Sequence, residues 1–186
     1  MTFESQVEYL LEYTEWDRGQ WERYFREQGP EAFAVGVGAN TDGRIANVGE
    51  LVRHIFSAEQ RYVERIQQLT LSDTSTVPAN DVDALFDFGR RSRENLLQLL
   101  RDFPAELWAK PQEIQIGPSK RTVLPMTMVV QSLTHEIRHW AQLAMLLRME
   151  GRKTGIHDFL VSGIFERNLA PHMSTSAESR RPTVNT

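Results

Sequence analysis

The 186-residue sequence contains no cysteine. That absence excludes disulfides, thiolate metal ligands, cysteine-held iron–sulfur clusters and a cysteine nucleophile. Any metal site must therefore be built from histidine, carboxylate or backbone oxygen. No apolar run reaches the ~18 residues of a membrane-spanning helix. The opening residues Met1-Thr2-Phe3-Glu4 lack the charged and apolar regions of a secretory signal. A cytosolic protein with no membrane partner is the expectation. An excess of basic residues is also missing: 21 Lys and Arg stand against 25 Asp and Glu, for a formal charge of -4. This balance disfavours a nucleic-acid partner. The most basic cluster, Arg90-Arg91-Ser92-Arg93, reads as a solvated helix face.

What is present is a set of helical periodicities. Val7, Leu10, Leu11, Trp21, Tyr24 and Phe25 suit one face of a helix from about Phe3 to Arg26, closed by Gly29-Pro30. A Gly- and Asn-rich stretch, 36–43, reads as a surface connection. Val48, Leu51, Ile55, Ala58, Tyr62, Ile66 and Leu69 form the stripe of a second helix from Asn47 to about Leu69. Asn80 is placed to cap a third, which carries Leu85, Phe88, Leu96, Leu99 and Phe103 and ends at Pro104. Ile114, Ile116, Val123 and Leu124 flank Gly117-Pro118-Ser119-Lys120, which suggests a short hairpin. A fourth helix starts near Pro125 and stops before Gly151, and a short helical segment follows from about His157 to Leu169. The expected fold is all-α: a four-helix bundle domain over 1–171 with a long connection between the third and fourth helices, then a disordered tail over 172–186.

Three of the five histidines stand out. His135 and His139 are four residues apart on the fourth helix, so their side chains lie about 40° apart, one turn above the other. Met128, Gln142 and Leu146 share that face. His54 lies beside Leu51 and Ala58 on the flank of the second helix's stripe. Burying three imidazoles in an apolar interior without partners is costly, which favours a metal reading over a hydrogen-bonded histidine pair. Three neutral imidazoles suit Zn²⁺ or Ni²⁺, with Fe, Mn or Cu as alternatives, and leave a coordination position open. For His157 and His172 no special role is expected.

The same residues support a rival. His135-Glu136-Ile137-Arg138-His139 matches the His-Glu-x-x-His pattern of zinc metalloproteases, in which the glutamate is the general base. The further histidine of the longer protease motif would fall at Met145, and a downstream glutamate ligand would have to be Glu166 or Glu178. His54 offers a third ligand upstream instead. Glu136 projects about 100° from His135 and in the alternative is a salt-bridging residue on a helix flank.

With these residues in view, the chain resembles the DinB/YfiT-like superfamily of metal-binding four-helix bundles over about residues 3–170. The likeness rests on Tyr13-Thr14-Glu15-Trp16, on Val52-Arg53-His54-Ile55-Phe56-Ser57-Ala58-Glu59, and on His135-Glu136-Ile137-Arg138-His139-Trp140-Ala141-Gln142 followed by Leu147-Arg148-Met149-Glu150-Gly151. The resemblance implies a divalent metal on His54, His135 and His139, in a pocket between helices, within a homodimer. It also implies relatives that transfer bacillithiol or mycothiol. Gln142 matches the family's second motif and either supports the metal site by a hydrogen bond or is a polar residue satisfied elsewhere. Glu59 sits about 140° around its helix from His54, which points to a salt bridge rather than to the metal.

Two functions follow as expectations. In one, a metal-dependent enzyme transfers a low-molecular-weight thiol, or carries out a related hydrolysis, on a small electrophile; with no cysteine in the chain, the thiol comes from a cosubstrate. In the other, a non-enzymatic protein uses the metal to steady a dimeric bundle. The fourth helix has a second apolar side, Val130, Leu133, Ile137, Ala141 and Ala144, for the last helical segment or a second subunit to cover.

Overall fold

A computed structural model describes residues 3–38 and 45–164. Four long helices make up most of it: α1 (Phe3–Gln28), α2 (Val48–Ile66), α3 (Val82–Asp102) and α4 (Pro125–Met149), with a two-stranded hairpin, β1 (Gln112–Ile116) and β2 (Ser119–Val123), between α3 and α4. The helix limits follow local chemistry. Asn47 caps α2 by accepting from the Glu50 N–H at 2.9 Å. Asp81, not the expected Asn80, caps α3 by accepting from the Ala84 N–H at 3.1 Å. Both residues are good caps, and the one whose carboxylate reaches the third helical N–H prevails. Pro125 opens α4 where its missing N–H costs nothing. The second helix ends at Ile66, short of Leu69, which is exposed.

The chain divides into two compact units, one of 19–154 and one of 1–18 with 155–186, and α1 contributes to both. In the larger unit α2 lies against both α3 and α4. Its core is aromatic: the Trp21 and Trp140 rings stack at 5.5 Å, Phe25 stacks on Phe33 at 4.3 Å, and Phe56 meets Trp140 edge-on. At Gly89 the α3 backbone passes so close to the Phe56 ring that a Cβ there would stand 2.9 Å from it. The direction of α4 relative to α2 follows from the hairpin. Gln112 donates its side-chain amide to the Ile66 carbonyl at the end of α2, and Gln112 pairs with Val123, two residues before α4 begins. Thus α4 starts where α2 stops, and the two run antiparallel.

In the smaller unit, Tyr13 donates its hydroxyl to the His157 carbonyl at 2.6 Å, and His157 Nδ1 lies 2.6 Å from the buried Asp17 carboxylate. Burial, followed by the charges of Asp17 and Asp158, pushes the Tyr13 hydroxyl up to about 12. His157 thus has a structural partner of its own. Of the expected helical segment from His157 to Leu169, the described part holds a 3₁₀ turn, Phe159–Val161, and then Ile164, which is again helical. The rest of that segment, Glu166, Glu178, His172 and the expected tail over 172–186 lie outside the described residues.

The basic cluster on α3 is not a uniformly solvated face. Arg90 and Arg91 are exposed, but Ser92 and Arg93 are buried. Arg93 lies within 3.0 Å of both the Glu59 and Glu136 carboxylates, so that a guanidinium on α3 ties α2 to α4. Ser92 adds a 3.0 Å bond to Glu59, which is the salt-bridged residue its helical position suggested.

Candidate metal centre

His54 on α2 and His135 and His139 on α4 converge in the larger unit. Each offers one ring nitrogen, and these atoms all lie within 4.8 Å of one another. The ring centroids are 5.0 Å apart for His54 with each of the others and 4.2 Å apart for His135 with His139. The helical pitch brings the α4 pair into register, and antiparallel packing places α2 so that His54 faces both.

The donor chemistry fits a cation. The Nε2 atoms of His135 and His139 face each other at 3.0 Å. His135 is only 9% exposed, and its Nδ1 is buried with no hydrogen-bond partner among the described residues, so the ring can be satisfied only on its Nε2 side. Burial, then the neighbouring His139, His54 and Arg138, pushes His135 down to about 3, and burial likewise lowers His139. Both are therefore neutral at pH 7, the form that ligates metals. Gln142 Oε1 lies 2.5 Å from His139 Nδ1, which places the proton on Nδ1 and leaves the Nε2 lone pair directed at the other histidines. Gln142 thus contacts His139 on the side of the ring away from the other histidines.

The histidines line a cleft of about 1170 Å³. Arg53, Arg61 and Arg138 line it too, and sequence reasoning did not single them out; Arg61, seven residues after His54, and Arg138, three after His135, had the helical spacing to be found. Ala141, expected on the far side of α4, is exposed and lines the cleft. Leu133 and Ala144, from the same expected side, are buried within the chain. The large apolar residues that α4 leaves exposed are Met145 and Met149.

Glu136 does not line this cleft. It is buried, paired with Arg93 and accepting from the Trp140 indole N–H at 3.1 Å. The protease reading needs this carboxylate beside the metal with a water to activate, whereas here it is turned around α4 from the histidine face and held by Arg93. In this structure the glutamate of the His-Glu-x-x-His match is a buried, ion-paired carboxylate.

A helical bundle with a histidine from one helix and an i,i+4 pair from its antiparallel neighbour defines a class of protein with a three-nitrogen site that can hold a metal ion. The chain belongs to the DinB family, whose pattern matches residues 2–166. No curated protein matches the sequence.

Proposed function

We propose that the protein is a metal-dependent enzyme in which His54, His135 and His139 hold a divalent ion, Zn²⁺ or Ni²⁺ foremost, and that it transfers a low-molecular-weight thiol, or performs a related hydrolysis, on a small electrophile. The observation that carries this reading is the convergence of three ring nitrogens within 4.8 Å on an open cleft. When bound, such an ion lowers the pKa of water or of a thiol toward neutrality and so supplies a nucleophile. The chain's own residues do the rest. Burial keeps the His135 and His139 imidazoles neutral, Gln142 sets the His139 tautomer, and the Glu59–Arg93–Glu136 clamp holds α2 and α4 in the rotation that aims the histidines at one another.

A purely structural ion would be closed by a fourth protein ligand. Among the described residues the group contains three, and it faces a cleft, which supports catalysis over the non-enzymatic alternative. The proposal extends to a cytosolic homodimer, supported by the exposed Met145 and Met149 on α4. Elemental analysis of protein purified without a metal-affinity tag should find a stoichiometric divalent metal, lost in His54→Ala. A screen of thiols and electrophiles with that variant as control should find activity in the parent alone. Unchanged metal in His54→Ala would sink the three-histidine site.

A further inference from the structure

Uncommitted charge is sorted along the cleft. Because α2 and α4 run antiparallel, residues after His54 on α2 lie toward the same end as residues before His139 on α4. Ser57, Arg61 and Thr74 therefore mark one end, and Val37, Ile45, Leu51, Met145 and Leu146, together with Glu50 and Arg53, the other, with the histidines and Arg138 between them. Arg138 stands beside the histidines, three residues past His135 and one before His139, whereas Arg61, seven residues beyond His54, is about 10 Å farther along the helix.

The charges that face this space are unequal in their commitments. Arg53 donates to the Ser75 and Val77 carbonyls at 3.2 and 3.1 Å and lies 3.8 Å from Glu50. Glu50 in turn accepts from the Ala46 N–H, so these two opposite charges offset each other within the protein. Arg61 makes a 3.5 Å contact to Thr74 Oγ1, and its charge reaches the Asp73 carboxylate. Arg138 is exposed and has no carboxylate partner among the described residues. A guanidinium left open beside three imidazoles, in a cleft whose far end presents Leu51, Met145 and Leu146 beside the mutually offset Glu50 and Arg53, is a ready receptor for an anionic group.

We infer that the cleft takes a small organic acid whose carboxylate is held by Arg138, with Arg61 behind it, and whose apolar body lies toward Leu51 and Leu146. This deepens the proposed function by naming the substrate class, and it rests on that reading only for the reaction, since the recognition belongs to the arginines.

The experiment uses the full chain, metal-free and Zn²⁺-loaded, titrated with hexanoate and with its uncharged counterpart hexanamide and followed by calorimetry. Hexanoate should bind about tenfold more tightly than hexanamide or better in both states, the advantage of a charge-assisted hydrogen bond. In Arg138→Gln the advantage should fall to about twofold or less, and Arg61→Gln should reduce it by a smaller factor. Arg138 is exposed, so its variant should keep the parent's fold and metal content. A preference seen only with Zn²⁺ would place the carboxylate on the ion and overturn the inference, as would a preference that survives Arg138→Gln or failure of both probes to bind. Zinc content, measured separately, tests the metal reading: loss of zinc binding in the parent would end that reading while the metal-free titration still judged the arginine site.

Discussion

Arg93 Nη2 stands 3.0 Å from Glu136 Oε2 and also 3.0 Å from Glu59 Oε2, all three side chains being buried. One cation on α3 thereby sets the rotation of the two helices that carry the histidines, because Glu59 follows His54 by five residues and Glu136 lies between His135 and His139. Glu136→Gln should cost about 3 kcal/mol of stability by leaving Arg93 under-compensated. It should still retain stoichiometric metal at neutral pH. Urea denaturation and elemental analysis on the same preparation check both halves. Unchanged stability together with abolished activity would instead return Glu136 to the role of general base.

Gln142 should act through His139. Its Oε1 is the acceptor for His139 Nδ1, so Gln142→Ala frees the ring to adopt the other tautomer and to rotate. Metal affinity, measured by competition with a chelator, should drop about tenfold, the lower end for such supporting contacts because Gln142 is exposed. Gln142→Glu, which preserves the acceptor, should recover most of it. Equal affinity in Ala and parent would show that packing alone orients His139.

The metal-free protein should lose stability in acid. His135 is held down to about 3 by burial first and then by His139, His54 and Arg138, and His139 is lowered by burial against the opposing Gln142 contact. An unfolded histidine titrates near ~6.5. Above that pH both states are neutral and stability is flat; below it the unfolded chain takes up protons that the folded chain refuses, so stability falls steadily as pH drops from about 6.5 toward 3. Urea midpoints across that range should show the decline, and His135→Asn should flatten part of it. A pH-independent midpoint between 6.5 and 4 would contradict the burial of these rings.

Gly89→Ala should destabilise despite alanine's better helix propensity. A Cβ at this position would stand 2.9 Å from the fully buried Phe56 ring. The propensity gain of about 1 kcal/mol is outweighed by an overpacking cost of about 1–3 kcal/mol. Thermal denaturation should show a lower midpoint for the single variant, and Phe56→Leu in the same chain should recover part of it by making room. A raised midpoint in Gly89→Ala would mean that α3 can shift away from α2.

Much of the architecture is local and was therefore legible. The stripes of α2 and α3, the proline that opens α4 and the turn at Gly117 are all written within a few residues, and so is the i,i+4 pairing of His135 with His139, because a helix converts spacing directly into direction. The cap of α3 shows the limit of that reading: Asn80 and Asp81 are chemically equivalent candidates, and only backbone geometry chooses between them.

What the amino-acid sequence determined by itself was the donor chemistry. With no cysteine, a transition-metal site had to rest on nitrogen and oxygen, and three histidines sat on helical faces able to supply it. Tertiary structure decided which neighbours share that site. An arginine on a helix looks the same whether it ends in solvent, in a cleft or between two carboxylates, so Arg91, Arg138 and Arg93 could not be told apart until α2, α3 and α4 were packed. Glu136 is the clearest case. Its sequence neighbours proposed a catalytic base, and the packing of α3 and α4 on α2 brought its carboxylate onto Arg93 and away from the cleft, because a buried charge is held where it is paired.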